Sequence, residues 1–250
     1  MSASGVADGL TIDIRSKRFP PLRDAAERHV IEGLRLALPK GSFTALVGPS
    51  GCGKTTALNI VAGLDRAYEG SVRLPDDGMV AYVFQEPRLL PWRSVESNIF
   101  LALDAAGMAS DAWLDEILRE VGLEDVRGVY ASRLSLGMAR RVALARAFAI
   151  RPTVLLMDEP FVSLDAPTAR RLRRLLIRLL ARHPATVLFV THDLREAIEL
   201  ADQVAILTPP PTRLLEMIKV DLDAEERLDE ARVERIRREL VGRAGLSGLL

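Results

Sequence analysis

The chain has 250 residues, 48% of them hydrophobic, which suffices for a substantial core in one large domain or a domain with a subdomain. Its 34 basic and 34 acidic residues cancel, which weakens the case for a dedicated nucleic-acid binder, and its single cysteine, Cys52, excludes an internal disulfide framework and fits a reducing compartment. The longest apolar runs fall far short of the ~20 residues that cross a bilayer, and residues 1–10 lack the basic-then-apolar pattern of a signal peptide, so a secreted disulfide scaffold, a membrane-spanning chain and a disordered tail are all disfavoured.

The elements alternate along the chain. Residues 10–15 and 30–38 alternate polar and apolar, as half-buried strands do. Residues 43–47 form a compact apolar run that ends in a Gly-rich loop, and residues 54–63 then have a helical pattern. Strands are predicted at 70–74 and 79–84. From about 94 to 150 the pattern is mainly helical, with Trp113, Ile117, Leu118 and Val121 at three- and four-residue spacing. Residues 154–157 are wholly apolar, typical of a strand buried on both faces of a parallel sheet. A helix at 167–182, a strand at 186–190, a helix at 194–200 and a strand at 204–207 follow. Strands alternating with helices imply an α/β fold with a parallel central sheet, interrupted by a helical subdomain. Pro209, Pro210 and Pro211 mark a boundary, and residues 221–240 are expected to form an amphipathic terminal helix, acidic at its start and basic at its end.

Gly48-Pro49-Ser50-Gly51-Cys52-Gly53-Lys54-Thr55 fits G-x-x-x-x-G-K-[ST], a phosphate-binding loop. Its glycines let backbone N–H groups wrap phosphate oxygens, and the helix it opens favours an anion at its N-terminus. Lys54 is placed to reach β- and γ-phosphates, and the Thr55 hydroxyl to ligate Mg²⁺. A chain of this length matches the pattern by chance on the order of 1% of the time, and the strand-loop-helix context lowers that further. Lys54 is also one of only four lysines in a chain that otherwise uses arginine. Cys52 reads as a small filler residue; a redox role, helped by the helix N-terminus lowering its thiol pKa, is the second reading.

Asp158 and Glu159 end the apolar run at 154–157, where ligands bind in open α/β sheets. Asp158 is placed to hold Mg²⁺, and Glu159 to activate a water against the γ-phosphate. Alone, such a pair reads equally as a helix cap or a loop charge; beside a phosphate loop it becomes specific. Gln85 and His192 each lie just past a predicted parallel strand, so both are expected on the same rim, sensing the γ-phosphate.

Leu134-Ser135-Leu136-Gly137-Met138, followed by Arg140-Arg141-Val142-Ala143-Leu144-Ala145-Arg146-Ala147, resembles the signature of ABC-type ATPases. With the phosphate loop, Gln85, Asp158-Glu159, Ser163-Leu164-Asp165 and His192 in this order, residues 10–208 resemble an ABC nucleotide-binding domain. Gln85-Glu86-Pro87-Arg88-Leu89-Leu90-Pro91-Trp92 is similar to the importer group for nitrate, sulfonates and taurine, and residues 218–222 are loosely similar to it.

The resemblance implies an ATPase domain at 1–208, with an N-terminal antiparallel β part and a helical subdomain near 90–150, and an extension at 209–250. It implies ATP and Mg²⁺ as cofactors, with Thr55, Gln85 and Asp158 at the metal and Thr56 joining the loop. It implies a head-to-tail dimer in which Ser135 and Gly137 meet the γ-phosphate held by a second copy, with Asp165 in the communicating loop. Phe19 is the candidate for stacking on adenine, with a partly buried core aromatic as the alternative, and residues 20–29 are longer than usual. Separate membrane permease subunits, docking near Leu89, Leu90 and Trp92, and a solute-binding protein complete the implied system, on the cytoplasmic face of the membrane and without nucleic acid. An ABC ATPase of a lipid-transport complex and a soluble non-transport ABC ATPase are the alternatives, with a small-molecule phosphotransferase behind them. The usual signature is Leu-Ser-Gly-Gly-Gln; Leu136 and Met138 depart from it here.

Overall fold

The computed structural model describes residues 9–21, 27–75 and 78–242. The signal-peptide reading of residues 1–10 falls almost wholly outside them, as does the middle of the 20–29 segment. The chain forms two compact units, Met1–Asp76 with Thr186–Leu250, and Asp77–Ala185.

In the first unit, β1 (Leu10–Phe19) pairs antiparallel with β2 (Arg28–Leu38) and with β4 (Glu69–Arg73) in the order β2-β1-β4. Leu10, Ile12 and Ile14 alternate inward on β1, the period of two that the sequence displays. β3 (Phe43–Val47) is buried at all five residues, the pattern of a strand whose sheet is covered on both faces. It pairs parallel with β7 (Thr186–Thr191) and with β8 (Gln203–Leu207). Helices α1 (Lys54–Val61) and α6 (Leu194–Leu200) follow β3 and β7 as crossover helices.

In the second unit, β5 (Val80–Val83) and β6 (Val154–Asp158) pair parallel. Between them run α2 (Val95–Ala105), α3 (Asp111–Val121) and α4 (Leu136–Ala149), and α5 (Ala166–Arg182) follows β6. Helix α4 packs against α2, α3 and α5, which explains its apolar residues on most sides. Ser94, Ser110, Ser135 and Asp165 cap the four helices by accepting a backbone N–H of the first turn. The α/β class, the parallel strands, the N-terminal antiparallel part and the helical block are all as the sequence predicts.

The tail differs from expectation. After Pro209–Pro211 the chain turns back and adds β9 (Leu214–Lys219) antiparallel to β8. The helix expected over 221–240 begins only at Glu230, as α7 (Glu230–Val241), packed on α6. The physical reason lies in the aspartates. Asp223 accepts the N–H groups of Glu225 and Glu226, closing a short turn at Glu226–Leu228, and Asp229 accepts those of Ala231 and Arg232 as the true N-cap. Short acidic side chains bond locally to the backbone and so start helices rather than continue them.

Candidate active site

The first unit carries the phosphate loop and His192. Strands β3 and β7 pair in register, Val47 beside Thr191, so Gly48 and His192 leave the same edge together. Beyond Val47 the loop curls through Gly51 and Gly53, at φ of 73° and 111°, a region L side chains rarely adopt. At Gly53 a Cβ would also lie 2.8 Å from Val30 Cγ1. Lys54 Nζ donates to the carbonyls of Gly48, at 2.7 Å, and Pro49, at 3.0 Å, so the side chain arches back over its own loop.

Helix α1 starts at Lys54 with no side-chain cap and no acid in its first turn. Its leading N–H groups therefore point into the loop without a protein carboxylate or hydroxyl to accept them, which suits an anionic ligand. Thr55 is exposed there and Thr56 half-buried. Cys52 is buried, its N–H donating to Pro49 O at 3.2 Å. Burial pushes the Cys52 thiol above its ordinary value despite the ammonium of Lys54, which overturns the lowering that the helix N-terminus suggests and leaves the filler reading.

Thr212 is a supporting residue that the sequence does not disclose. It is fully buried in the turn between β8 and β9, and its hydroxyl donates to the Cys52 carbonyl from beneath the loop. Its backbone bonds to Val30 and Glu32 on β2. Phe19 ends β1, 39% exposed, with Lys17 Nζ 4.4 Å from its ring centroid. Its neighbour in the ladder is Arg28, whose guanidinium donates to Gly51 O at 3.2 Å, so the ladder sets this open aromatic face beside the phosphate loop. On β7, Thr191 donates to Glu196 and accepts from Asp193 N, which fixes the turn that holds His192.

The second unit carries Gln85, the acids and the signature. Val83 lies beside Met157 in the β5–β6 ladder, so Gln85 and Asp158-Glu159 leave one edge together. Asp158 is only 6% exposed. Burial first, and then the Asp158 charge, raises the Tyr82 phenol pKa and keeps the group protonated, and that hydroxyl is buried without a hydrogen-bond partner among the described residues. Glu159 sits at φ 43° and Ser163 at φ 64°; such left-handed non-glycine backbone concentrates at functional sites.

The loop after β5 is pinned by arginines whose roles the sequence conceals. Arg140 donates to Phe84 O and Val162 O at 3.3 Å each, tying the segment before Gln85 to the segment after Glu159. Arg146 donates to Pro87 O and Arg88 O at 2.8 and 2.9 Å, and Asn98 bonds to both the N–H and the carbonyl of Leu90.

The signature caps α4. Ser135 Oγ accepts from Met138 N at 3.3 Å. At Gly137 a Cβ would lie 2.8 Å from Thr168 Cγ2, so a side chain there would require the Thr168 methyl to move, quite apart from any ligand. The Thr168 side chain, and after it the Thr168 N–H that donates to Asp165, holds the Asp165 carboxyl below the ordinary range by hydrogen bonding. Leu136 is 41% exposed at the first position of α4. Its bulk projects from the helix start without disturbing the Ser135 cap. Leu136→Gly is therefore expected to change turnover by less than about tenfold, below ~1.4 kcal/mol in the barrier. A steady-state ATPase assay checks this, and a larger change would assign Leu136 a direct part in catalysis.

The described residues contain no group of three or more His, Cys, Asp or Glu able to hold a metal by themselves. Taken unit by unit, the exposed Thr55 hydroxyl of the first, and the exposed Gln85 and the Asp158 carboxylate of the second, are hard oxygen donors of the kind that suits a cation arriving with phosphate oxygens. No helix among the described residues is long and apolar enough to cross a membrane.

Comparison with known proteins agrees with this geometry. A family described as "ABC transporter" matches residues 31–162. The chain is 45% identical over 195 residues to the "aliphatic sulfonates import ATP-binding protein SsuB 1" of Pseudomonas savastanoi pv. phaseolicola, covering 78% of this chain and 81% of that protein. It is 38% identical over 247 residues to the protein of the same description from Xanthomonas axonopodis pv. citri, covering 94% and 96%. Among solved structures it is similar to the ATP-binding cassette MJ0796 in a dimeric post-hydrolysis state bound to ADP and Pi. That likeness has a TM-score of 0.72 at 26% identity, over 86% of this chain and 100% of that one.

Proposed function

The chain belongs to the ABC transporter family, and on that premise we propose that it is the ATP-hydrolysing subunit that energises an importer of small organic anions of the sulfonate class. The observation that carries the reading is the phosphate loop at the end of β3, in register with His192 at the end of β7. The relatives, named for aliphatic sulfonate import, supply the solute class. On this reading residues 1–208 are the ATPase domain, with a helical subdomain near 90–150, and residues 209–250 an extension whose Thr212 and β9 join that domain.

The residues divide the work. Lys54 and the N–H groups of Gly48, Ser50, Gly51, Cys52, Gly53, Thr55 and Thr56 hold the phosphates, Pro49, which has no N–H, shapes the loop that presents them, and Phe19 stacks on the adenine. Thr55, Gln85 and Asp158 hold Mg²⁺, which when bound neutralises charge on the transferring phosphoryl group. Glu159 accepts the proton of the attacking water, and His192 and Gln85 orient the water and the γ-phosphate. Ser135 and Gly137 act on the nucleotide of a second copy in a head-to-tail dimer, adding hydroxyl, N–H and helix-dipole stabilisation where charge develops, with Asp165 linking the two sites.

Trp92 is 68% exposed beside the half-buried Leu89 and Leu90, an apolar surface suited to a helix of a membrane permease at the cytoplasmic face. A solute-binding protein would supply the importer with its cargo. An assay of the isolated chain with ATP, with and without a hydroxyl acceptor, tests the reaction class. Phosphate released to water is the expected result, and transfer to the acceptor would overturn the ATPase reading.

A further inference from the structure

Helix α5 carries six arginines and no acid in 17 residues. In a chain of zero net charge that is a concentrated positive face. Its exposed side lines a concave groove of about 850 Å³, whose other wall is the end of α3 and the start of α4. Five arginines line it: Arg119, Arg141, Arg171, Arg174 and Arg178.

The acids that line the groove are already engaged. Glu120 accepts from Arg182 at 2.7 Å and bonds His183 Nε2 at 3.0 Å. Asp165 accepts from Thr168 N at 3.0 Å. Arg119 finds Glu124 only at 4.0 Å, and Arg141 donates to the carbonyl of Gly122 at 3.2 Å. Arg174 and Arg178 make no ion pair among the described residues. A merely solvated helix face usually interleaves both signs; here like charges gather in a concavity and raise its potential. The volume lies in the range of small-ligand sites, and exposed Leu136 with half-buried Met138 and Leu164 gives it an apolar wall.

We propose that this groove is a second anion site, which binds a tetrahedral oxyanion, a sulfonate or phosphate group, through Arg174 and Arg178. Planar guanidinium forks match such oxyanions in bidentate fashion. The groove borders Ser135, Gly137 and Asp165, which the proposed function assigns to the nucleotide of a second copy, but Arg174 and Arg178 lie on α5, outside both the signature and the phosphate loop, and variants separate them from the phosphate loop.

The test is isothermal titration of the full nucleotide-free chain at low ionic strength, with hexanesulfonate and pyrophosphate as separate probes. In Lys54→Ala, which disables the phosphate loop, at least one probe is expected to bind still. Adding Arg174→Gln and Arg178→Gln should then weaken that binding about tenfold or more, with the ligand-free melting temperature unchanged. Should this triple variant not fold, Arg141→Gln in the Lys54→Ala background carries the test, with a loss of about threefold expected. Binding of hexanesulfonate alone would assign a sulfonate ligand, and of pyrophosphate alone a phosphate ligand. If neither probe binds Lys54→Ala below about 10 mM, or if the arginine substitutions leave the affinity unchanged, the site does not exist. Such a result would leave the phosphate-loop reading standing, because pyrophosphate would still bind the unsubstituted chain.

Discussion

Glu159→Gln is expected to abolish ATP hydrolysis while leaving ATP binding intact. Glutamine keeps the size and shape of the side chain but loses its negative charge and the ability to take a proton. General-base catalysis contributes about 10²–10⁴ in rate, so turnover should fall by that factor, a barrier increase of ~3–5 kcal/mol. Affinity for ATP should change little, because the phosphate-holding groups lie on the loop after β3 and helix α1, not on β6. With hydrolysis blocked, the closed dimer should persist in the presence of ATP and appear as a stable species of doubled mass in size-exclusion chromatography.

The backbone at this position supplies an internal control. Glu159 adopts φ 43°, in the left-handed region that glycine tolerates and other residues occupy at a cost. Glutamine inherits that cost unchanged, so the melting temperature of Glu159→Gln should match the unsubstituted chain. Lost turnover with unchanged melting then reports chemistry rather than damage to the fold. Full residual turnover would remove Glu159 from the role of base.

Most of this site is legible in the sequence because its residues sit at the ends of buried strands. Phe43–Val47 and Val154–Asp158 are apolar at all positions but Thr44 and the terminal Asp158, the pattern of strands covered on both sheet faces, and the residues that follow each run lie at the carboxyl ends of the strands. The supporting residues are illegible for an equally physical reason. Thr212, Arg140 and Arg146 act through backbone carbonyls of segments distant in sequence. A carbonyl has no residue identity, so no spacing or motif records the contact. Strand β9 escapes notice because the prolines before it read as a stop, whereas they occupy the turn back to β8. The acids at 221–230 favour a helix start by composition, yet as aspartates they cap turns first.

Lys54→Ala should act on binding rather than on chemistry alone. The ammonium is almost wholly buried and donates to the carbonyls of Gly48 and Pro49, so it supports the loop from within as well as presenting charge to the phosphates. Hydrogen bonds from a charged donor are worth ~1.5–3 kcal/mol each, and the bond to phosphate is lost outright in the alanine variant. ATP affinity should therefore fall about 100-fold, ~2.7 kcal/mol, as read by fluorescent-nucleotide titration. The loop should survive: the Thr212 hydroxyl still holds the Cys52 carbonyl, and Cys52 N still donates to Pro49 O. The rise in melting temperature that ATP confers on the unsubstituted chain should then disappear, while the ligand-free melting temperature drops only slightly. Lys54→Arg should not rescue binding, because a planar fork cannot arch over the loop to both carbonyls as a compact ammonium does. Unweakened binding in Lys54→Ala would mean that the backbone N–H groups and the start of α1 hold the phosphates unaided, and it would confine Lys54 to shaping the loop.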